Sequence, residues 1–236
     1  MSTHVNAHRK PNPVGKSFGR KAMRIGLFAA GAAGIATAVP AQAATAATAA
    51  AGGMGRNAAV AEDHTFSHAD RAHPTQVKDS FTVRQFGTVT SAGIRNQANA
   101  VSVGCSVDAH CRSVALSFQI VTLAGQHTHL NAVNLSDAAN QHCDGCQTLA
   151  GAYQFVVSTA RPITLDGATK SRLADIHRRL DELSRSGIPA VDLKTKVDAL
   201  AAEVTGVLHD AVADAPKAAD QPTVAVQRHM DGWPGH

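Results

Sequence analysis

Aromatic residues are scarce in this 236-residue chain, which has one Trp, one Tyr and seven Phe. No basic run interleaved with rings occurs after residue 43, so a nucleic-acid platform built on aromatic stacking is excluded. Acidic residues are absent from the first 43 positions. Long apolar runs are missing as well. The stretch from Ile25 to Val39 is about 15 residues, rich in Gly and Ala, and short of the roughly 20 that a spanning helix needs. Catalytic signatures are equally thin: there is no His-Glu-x-x-His, no Gly-x-Ser-x-Gly, no phosphate-cradling glycine loop, and Gln147 rather than His follows Cys146. No catalytic residue and no cofactor is expected.

What is present at the start is a leader. Arg9, Lys10, Lys16, Arg20, Lys21 and Arg24 precede the apolar run, which closes on Ala41-Gln42-Ala43. A charged region, a hydrophobic region and a small-residue cleavage site in that order predict export with processing after Ala43. Removing those six cations leaves 16 Lys and Arg against 18 Asp and Glu. The mature chain is then slightly acidic, and the apparent basicity belongs to the leader. No membrane span and no nucleic-acid partner are expected for the mature part.

Two stretches repeat one another. Residues 99 to 121 and 137 to 157 align as [Asn/Asp]-Ala-x3, a small or polar residue, Cys, a short gap, then Cys-[Arg/Gln]-[Ser/Thr]-[Val/Leu]-Ala-x-[Ser/Ala]-[Phe/Tyr]-Gln-[Ile/Phe]-Val. All four cysteines, Cys105, Cys111, Cys143 and Cys146, fall at matching positions. An even count in an exported chain predicts disulfides. The gaps differ in length, five residues against two. Such variation is tolerated at the tip of a closed loop, which favours Cys105 with Cys111 and Cys143 with Cys146. The cross-pairing, Cys105 with Cys143 and Cys111 with Cys146, stays open on sequence alone.

The rest of the chain divides by pattern. Residues 44–78 read as a disordered Ala/Thr/Gly linker without a periodic apolar face. A first strand, irregular near Gly87, is predicted from Phe81, Val83, Phe86 and Val89. Val114, Leu116, Phe118 and Ile120 alternate with small residues and Gln119; Leu149, Gly151, Tyr153 and Phe155 do so with Gln154. Both predict half-buried strands in a cysteine-repeat domain over 79–165. The Ala- and Asn-rich segments 92–103 and 131–141 suggest short helices or ordered loops. Over 166–214, Leu173, Ile176, Leu180 and Leu183, then Leu193, Val197, Leu200 and Val204, form stripes broken at Gly187 and Pro189. They predict a helical hairpin with a coiled-coil-like seam. That seam requires cover, from the repeat domain or from a second copy, with self-association favoured. Residues 215–236 read as a disordered tail. The fold class is α+β, a small sheet from two disulfide-braced repeats followed by the hairpin.

Two other chemistries are consistent with the residues. Cys143-Asp144-Gly145-Cys146 has the spacing of a redox dithiol, but it precedes a strand and Asp144 would raise the thiol pKa. The cysteines with His110, His142, His127 and His129 could supply zinc ligands, against which stand an oxidising exterior and 13 scattered His. His64 and His68 have helical protease spacing without the intervening glutamate.

At CRSVALSFQIV and CQTLAGAYQFVV the chain resembles secreted cysteine-repeat domains of actinobacterial proteins of unassigned function, over roughly residues 79 to 160. Some relatives of that type carry the label of peptide zinc metalloprotease, which does not transfer to a chain lacking the zinc-protease motif. The resemblance implies a domain type and an exported, envelope-associated setting. The expected function is a non-enzymatic structural or protein-binding role at the cell exterior. The alternatives are a thiol-disulfide redox protein using Cys143 and Cys146 or a Cys/His metal-binding protein.

Overall fold

The computed structural model describes residues 57–213 and 222–233. The segment expected as a leader, residues 1–43, and the expected linker as far as residue 56 lie outside the described residues. Strands β1 (Ala58–Ala69), β2 (Thr75–Thr88), β3 (Ser91–Val103), β4 (Arg112–Ala124), β5 (His129–Gln141) and β6 (Gln147–Thr159) alternate between two sheets. One sheet runs β1-β3-β5, the other β2-β4-β6, and both are parallel throughout. The chain therefore coils, each turn laying one strand on each sheet, as a three-rung solenoid. Helices α1 (Gly167–Ser184) and α2 (Ala190–Ala213) follow, and β7 (Thr223–Trp233) returns antiparallel beside β6. Among the described residues no helix is long and apolar enough to cross a membrane.

The registers place Asn99 beside Asp137, Arg112 beside Gln147 and Phe118 beside Tyr153. Residues that the sequence alignment sets one above the other are thus hydrogen-bonded neighbours. A further rung, without cysteines, precedes them: Phe81 lies beside Phe118 and Asp63 beside Asn96. The segment expected as linker accordingly contains β1 and the start of β2, and the segment expected as tail contains β7. Segments 92–103 and 131–141 are strands rather than helices or loops. Ala and Asn are poor strand formers by propensity, but here they face a narrow gap between two sheets. Ala98, Ala100 and Ala138 of one sheet meet Ala115, Ala150 and Ala152 of the other.

Strands β4 and β6 are buried on both faces, not half-buried as their alternation suggests. Their small side chains fill the inter-sheet gap. Val114, Leu116, Phe118, Ile120, Leu149, Tyr153 and Phe155 point outward into one cluster with Leu173, Ile176, Leu180, Leu193, Val197, Leu200 and Val204. The hairpin seam is therefore covered by the chain's own sheet. Asp166 caps α1 by accepting from the Thr169 N–H at 2.7 Å. Gly187, at φ 70°, turns the chain toward α2.

Asp79, on the outward face of β2, ties α1 to the sheet through His177, whose Nε2 is 3.3 Å from the Asp79 carboxylate. Burial alone would raise the Asp79 pKa. The hydrogen bond and charge of His177, a hydrogen bond with Asp181 and the charge of Arg185 outweigh it and hold Asp79 below the usual carboxylate range. Asp181 moves the other way, pushed up by burial and by the Asp79 charge. A depressed acid contributes stability above about pH 4 that is lost as pH falls through its folded pKa. His177→Ala is expected to lower the urea midpoint at pH 7 and to flatten its decline below about pH 4, measured on both proteins across that range. Unchanged midpoints at pH 7 would show that the contact is idle.

Candidate functional site

Between the sheets runs a column of polar side chains, one per rung. Asp63, Asn96 and Asn134 are register partners on β1, β3 and β5. Asn96 is fully buried. Its amide Nδ2 donates to Asn134 Oδ1 at 2.9 Å, to the Tyr153 carbonyl at 3.1 Å and to the Ser117 carbonyl at 3.4 Å, and its Oδ1 accepts from the Ser117 hydroxyl at 2.6 Å. Asp63 ends the column at the first rung and accepts from the hydroxyls of Ser80, Thr82 and Ser117. A second ladder uses the paired glutamines. Gln154 Nε2 donates to Gln119 Oε1 and to the Val133 carbonyl, and Gln119 Nε2 to the Arg95 carbonyl. Such amide columns bind rung to rung, and each buried member depends on its neighbours.

The last rung is closed by β7. Asn134 Nδ2 donates to the Gln227 carbonyl, the Ser136 N–H to His229 Nδ1, and the Ala138 N–H to the Asp231 carboxylate. Backbone pairing with β6 and side-chain acceptors toward β5 together cover an edge that would otherwise template aggregation. Tyr153 anchors the arrangement from below. Its hydroxyl donates to Asp198 of α2 at 2.7 Å and contacts Met230 Sδ at 2.8 Å. Burial, then the hydrogen bond and charge of Asp198, push the phenol far above its ordinary pKa, so it serves as a donor.

The cysteines occupy one corner of the coil. Cys105 is bonded to Cys111 at the turn from β3 to β4, and Cys143 to Cys146 at the turn from β5 to β6. Pairing lies within each copy. Gly104, His142 and Gly145 adopt positive φ to make these turns. Backbone bonds from the Gly104 N–H to Gln141 and from the Gln147 N–H to Cys111 hold the two loops in register. The equivalent corner of the first rung has Asp70 in place of a disulfide, accepting from the Ala72 and His73 N–H groups. Arg71 of that turn donates to the Gly104 carbonyl. Cys105, Cys111 and Cys146 are buried together with Ala69, whereas Cys143 is partly exposed.

The other sequence candidates are scattered. His127, in the turn after β4, and His129, the first residue of β5, lie at the opposite corner, a full strand away from the cysteines. His110 and His142 are exposed beside the disulfide loops. His64 and His68 sit on β1 and not on a helix, so their four-residue spacing sets them about 13 Å apart. Among the described residues, the one group of three or more His, Cys, Asp and Glu side chains placed to hold a metal ion is the four cysteines. No helix begins at Cys143; the disulfide turn leads into strand β6 at Gln147. The motif therefore does not open a helix of its own, the arrangement that stabilises the attacking thiolate in redox dithiols.

Sequence reasoning missed Asp63, Asn96, Asn134 and the closing residues His229 and Asp231. The available signal was a small residue at every second position from Ala59 to Ala69, which is the inward pattern of β3 repeated one rung earlier. Comparison with protein-family models, curated proteins and solved structures finds no match for this chain.

Proposed function

We propose that this is an exported, non-enzymatic protein of the cell envelope or exterior, a short braced solenoid with a structural or protein-binding role. The observation that carries the reading is that all four cysteines are spent in two stacked disulfides at one solenoid corner, three of them buried and none opening a helix along the chain. That arrangement fastens turns and offers no activated nucleophile. The hairpin covers one sheet. Among the described residues nothing packs on the outer face of the β1-β3-β5 sheet, where Phe66 is 51% and Leu135 42% exposed, and it is the surface we assign to a protein-binding role.

The test joins processing and thiol chemistry. Protein recovered from outside expressing cells should begin at Ala44, contain no free thiol, and leave insulin disulfides unreduced. Turnover in that assay, abolished by Cys143→Ser, would replace this reading with redox catalysis. A product that retains Ile25 to Val39 would replace secretion with anchoring.

Partial reduction should expose an order. Cys143 is the one partly exposed cysteine of the four, so the Cys143–Cys146 bond is expected to open first under limiting reductant, as read by alkylation and peptide mapping. Losing either short-loop bond should cost about 2 kcal/mol. Simultaneous opening of both bonds would show that the corner unfolds as a unit before reduction.

A further inference from the structure

The four sulfur atoms come from two different rungs, yet all lie within 4.8 Å of one another. A tetrahedral zinc ion with thiolates at about 2.3 Å requires ligand sulfurs roughly 3.8 Å apart. Stacking of the two cysteine loops has thus already gathered a tetrahedral donor set to within small side-chain movements. We propose that, once both disulfides are reduced, this corner is a four-thiolate site for one soft divalent cation of the zinc type, so that the oxidised brace and the metal clasp are alternative fastenings of the same two rungs.

Three features carry the proposal besides the spacing. First, the loops are held by backbone bonds that reduction leaves intact. Ser106 and Ala109 form a bridge inside the longer loop, and the Gly104 to Gln141 and Gln147 to Cys111 bonds tie one loop to the other. Second, Cys143-x-x-Cys146 is a two-residue chelating turn whose backbone is set by positive φ at His142 and Gly145, of the spacing found in structural zinc sites. Third, three of the donors are buried in one cluster with Ala69, and the fourth, Cys143, is partly exposed, which gives an ion a way in. Thiolates are soft ligands that select zinc-like ions over magnesium or calcium. The doubly negative complex would lie next to Arg71, which donates to the Gly104 carbonyl one residue from Cys105.

The chemistry balances with a phosphine as reductant. Each disulfide takes two electrons and two protons and yields two thiols, while the phosphine is oxidised to its oxide with an oxygen from water. The cation then displaces four thiol protons on binding, because coordination deprotonates the thiol outright. A metal clasp differs from the disulfides in one respect: it bonds one rung to the next, whereas each disulfide closes a loop within its own rung.

The test uses the mature chain from Ala44, reduced anaerobically with a water-soluble phosphine and titrated with Co2+, then with Zn2+. One equivalent of Co2+ is expected, with the visible absorption of tetrahedral thiolate coordination, displaced by one Zn2+, together with a higher melting temperature than the reduced apoprotein. Cys105→Ser and Cys143→Ser should each lose the four-thiolate spectrum, since ligands from both loops are required. Binding of two ions per chain, or an unaltered spectrum in the Cys105→Ser/Cys111→Ser protein, would overturn the shared site. So would a reduced protein that keeps its circular dichroism yet binds nothing. Should the reduced apoprotein unfold, refolding by one equivalent of zinc supports the site and failure to refold overturns it. Zinc in protein purified without reductant would count against the disulfide reading, and not against this one.

Discussion

Asn96→Asp is expected to cost about 4 kcal/mol or more at pH 7, the scale of an uncompensated buried charge. Against a total stability of about 5–15 kcal/mol, that leaves much of the protein unfolded. The reason is the partners. Asn96 is fully buried, and its amide donates to three oxygens, those of Ser117, Asn134 and Tyr153. A carboxylate in its place would set negative charge against those acceptors with no donor hydrogen. Its folded pKa would rise above the unfolded value of about 3.9, so the penalty is full above the folded pKa and disappears as pH falls below the unfolded one. Urea midpoints of the variant should therefore recover toward those of the parent near pH 4. Asp63 provides the control one rung away, because its carboxylate faces the hydroxyl donors of Ser80, Thr82 and Ser117 and is matched to them. An Asn96→Asp protein as stable as its parent at pH 7 would show that the column is not buried in solution.

Phe118→Ala carries the second large effect, about 3–5 kcal/mol and a fall in melting temperature of about 10 °C. The ring is fully buried and stacks on Tyr153 at 4.5 Å and Phe81 at 5.8 Å, with Phe155 tilted at 5.9 Å. Phe81 in turn stacks on His177 of α1 at 5.0 Å. Truncating the middle ring opens a cavity in the layer that joins all three rungs to the helices. Phe66→Ala, at a half-exposed position on the bare sheet, should change stability by no more than about 0.5 kcal/mol. Comparable losses for the two substitutions in thermal denaturation would mean that the helices do not cover the β2-β4-β6 sheet.

The outward rows of β4 and β6 were legible because large apolar residues alternate with small ones there, and the two cysteine copies could be aligned residue by residue. The hairpin was legible for a similar reason: its stripes repeat at helical spacing and stop at Gly187 and Pro189. Strands β3 and β5 were not. Apart from Ile94, their buried inward positions carry Ala, Asn and Ser, residues of low strand propensity that are accommodated here by an opposing sheet lying close. The first rung was hidden by the same composition and by the absence of cysteines, with Asp70 closing its turn in place of sulfur.

Taken alone, the sequence determined what can be read locally. It set the four matched cysteines, the predicted leader, the apolar periodicities and the lack of any assembled catalytic motif, since each of these depends on spacing along the chain. Only the tertiary structure decided which strands are neighbours. Parallel pairing joins residues more than 30 positions apart, and no local preference encodes the partner. Stacking made the columns of Asp63, Asn96 and Asn134 and of Phe81, Phe118 and Tyr153. The same stacking turned two separate loops into one cluster of four sulfurs, because a rung can bring its cysteines to another's only by lying directly upon it.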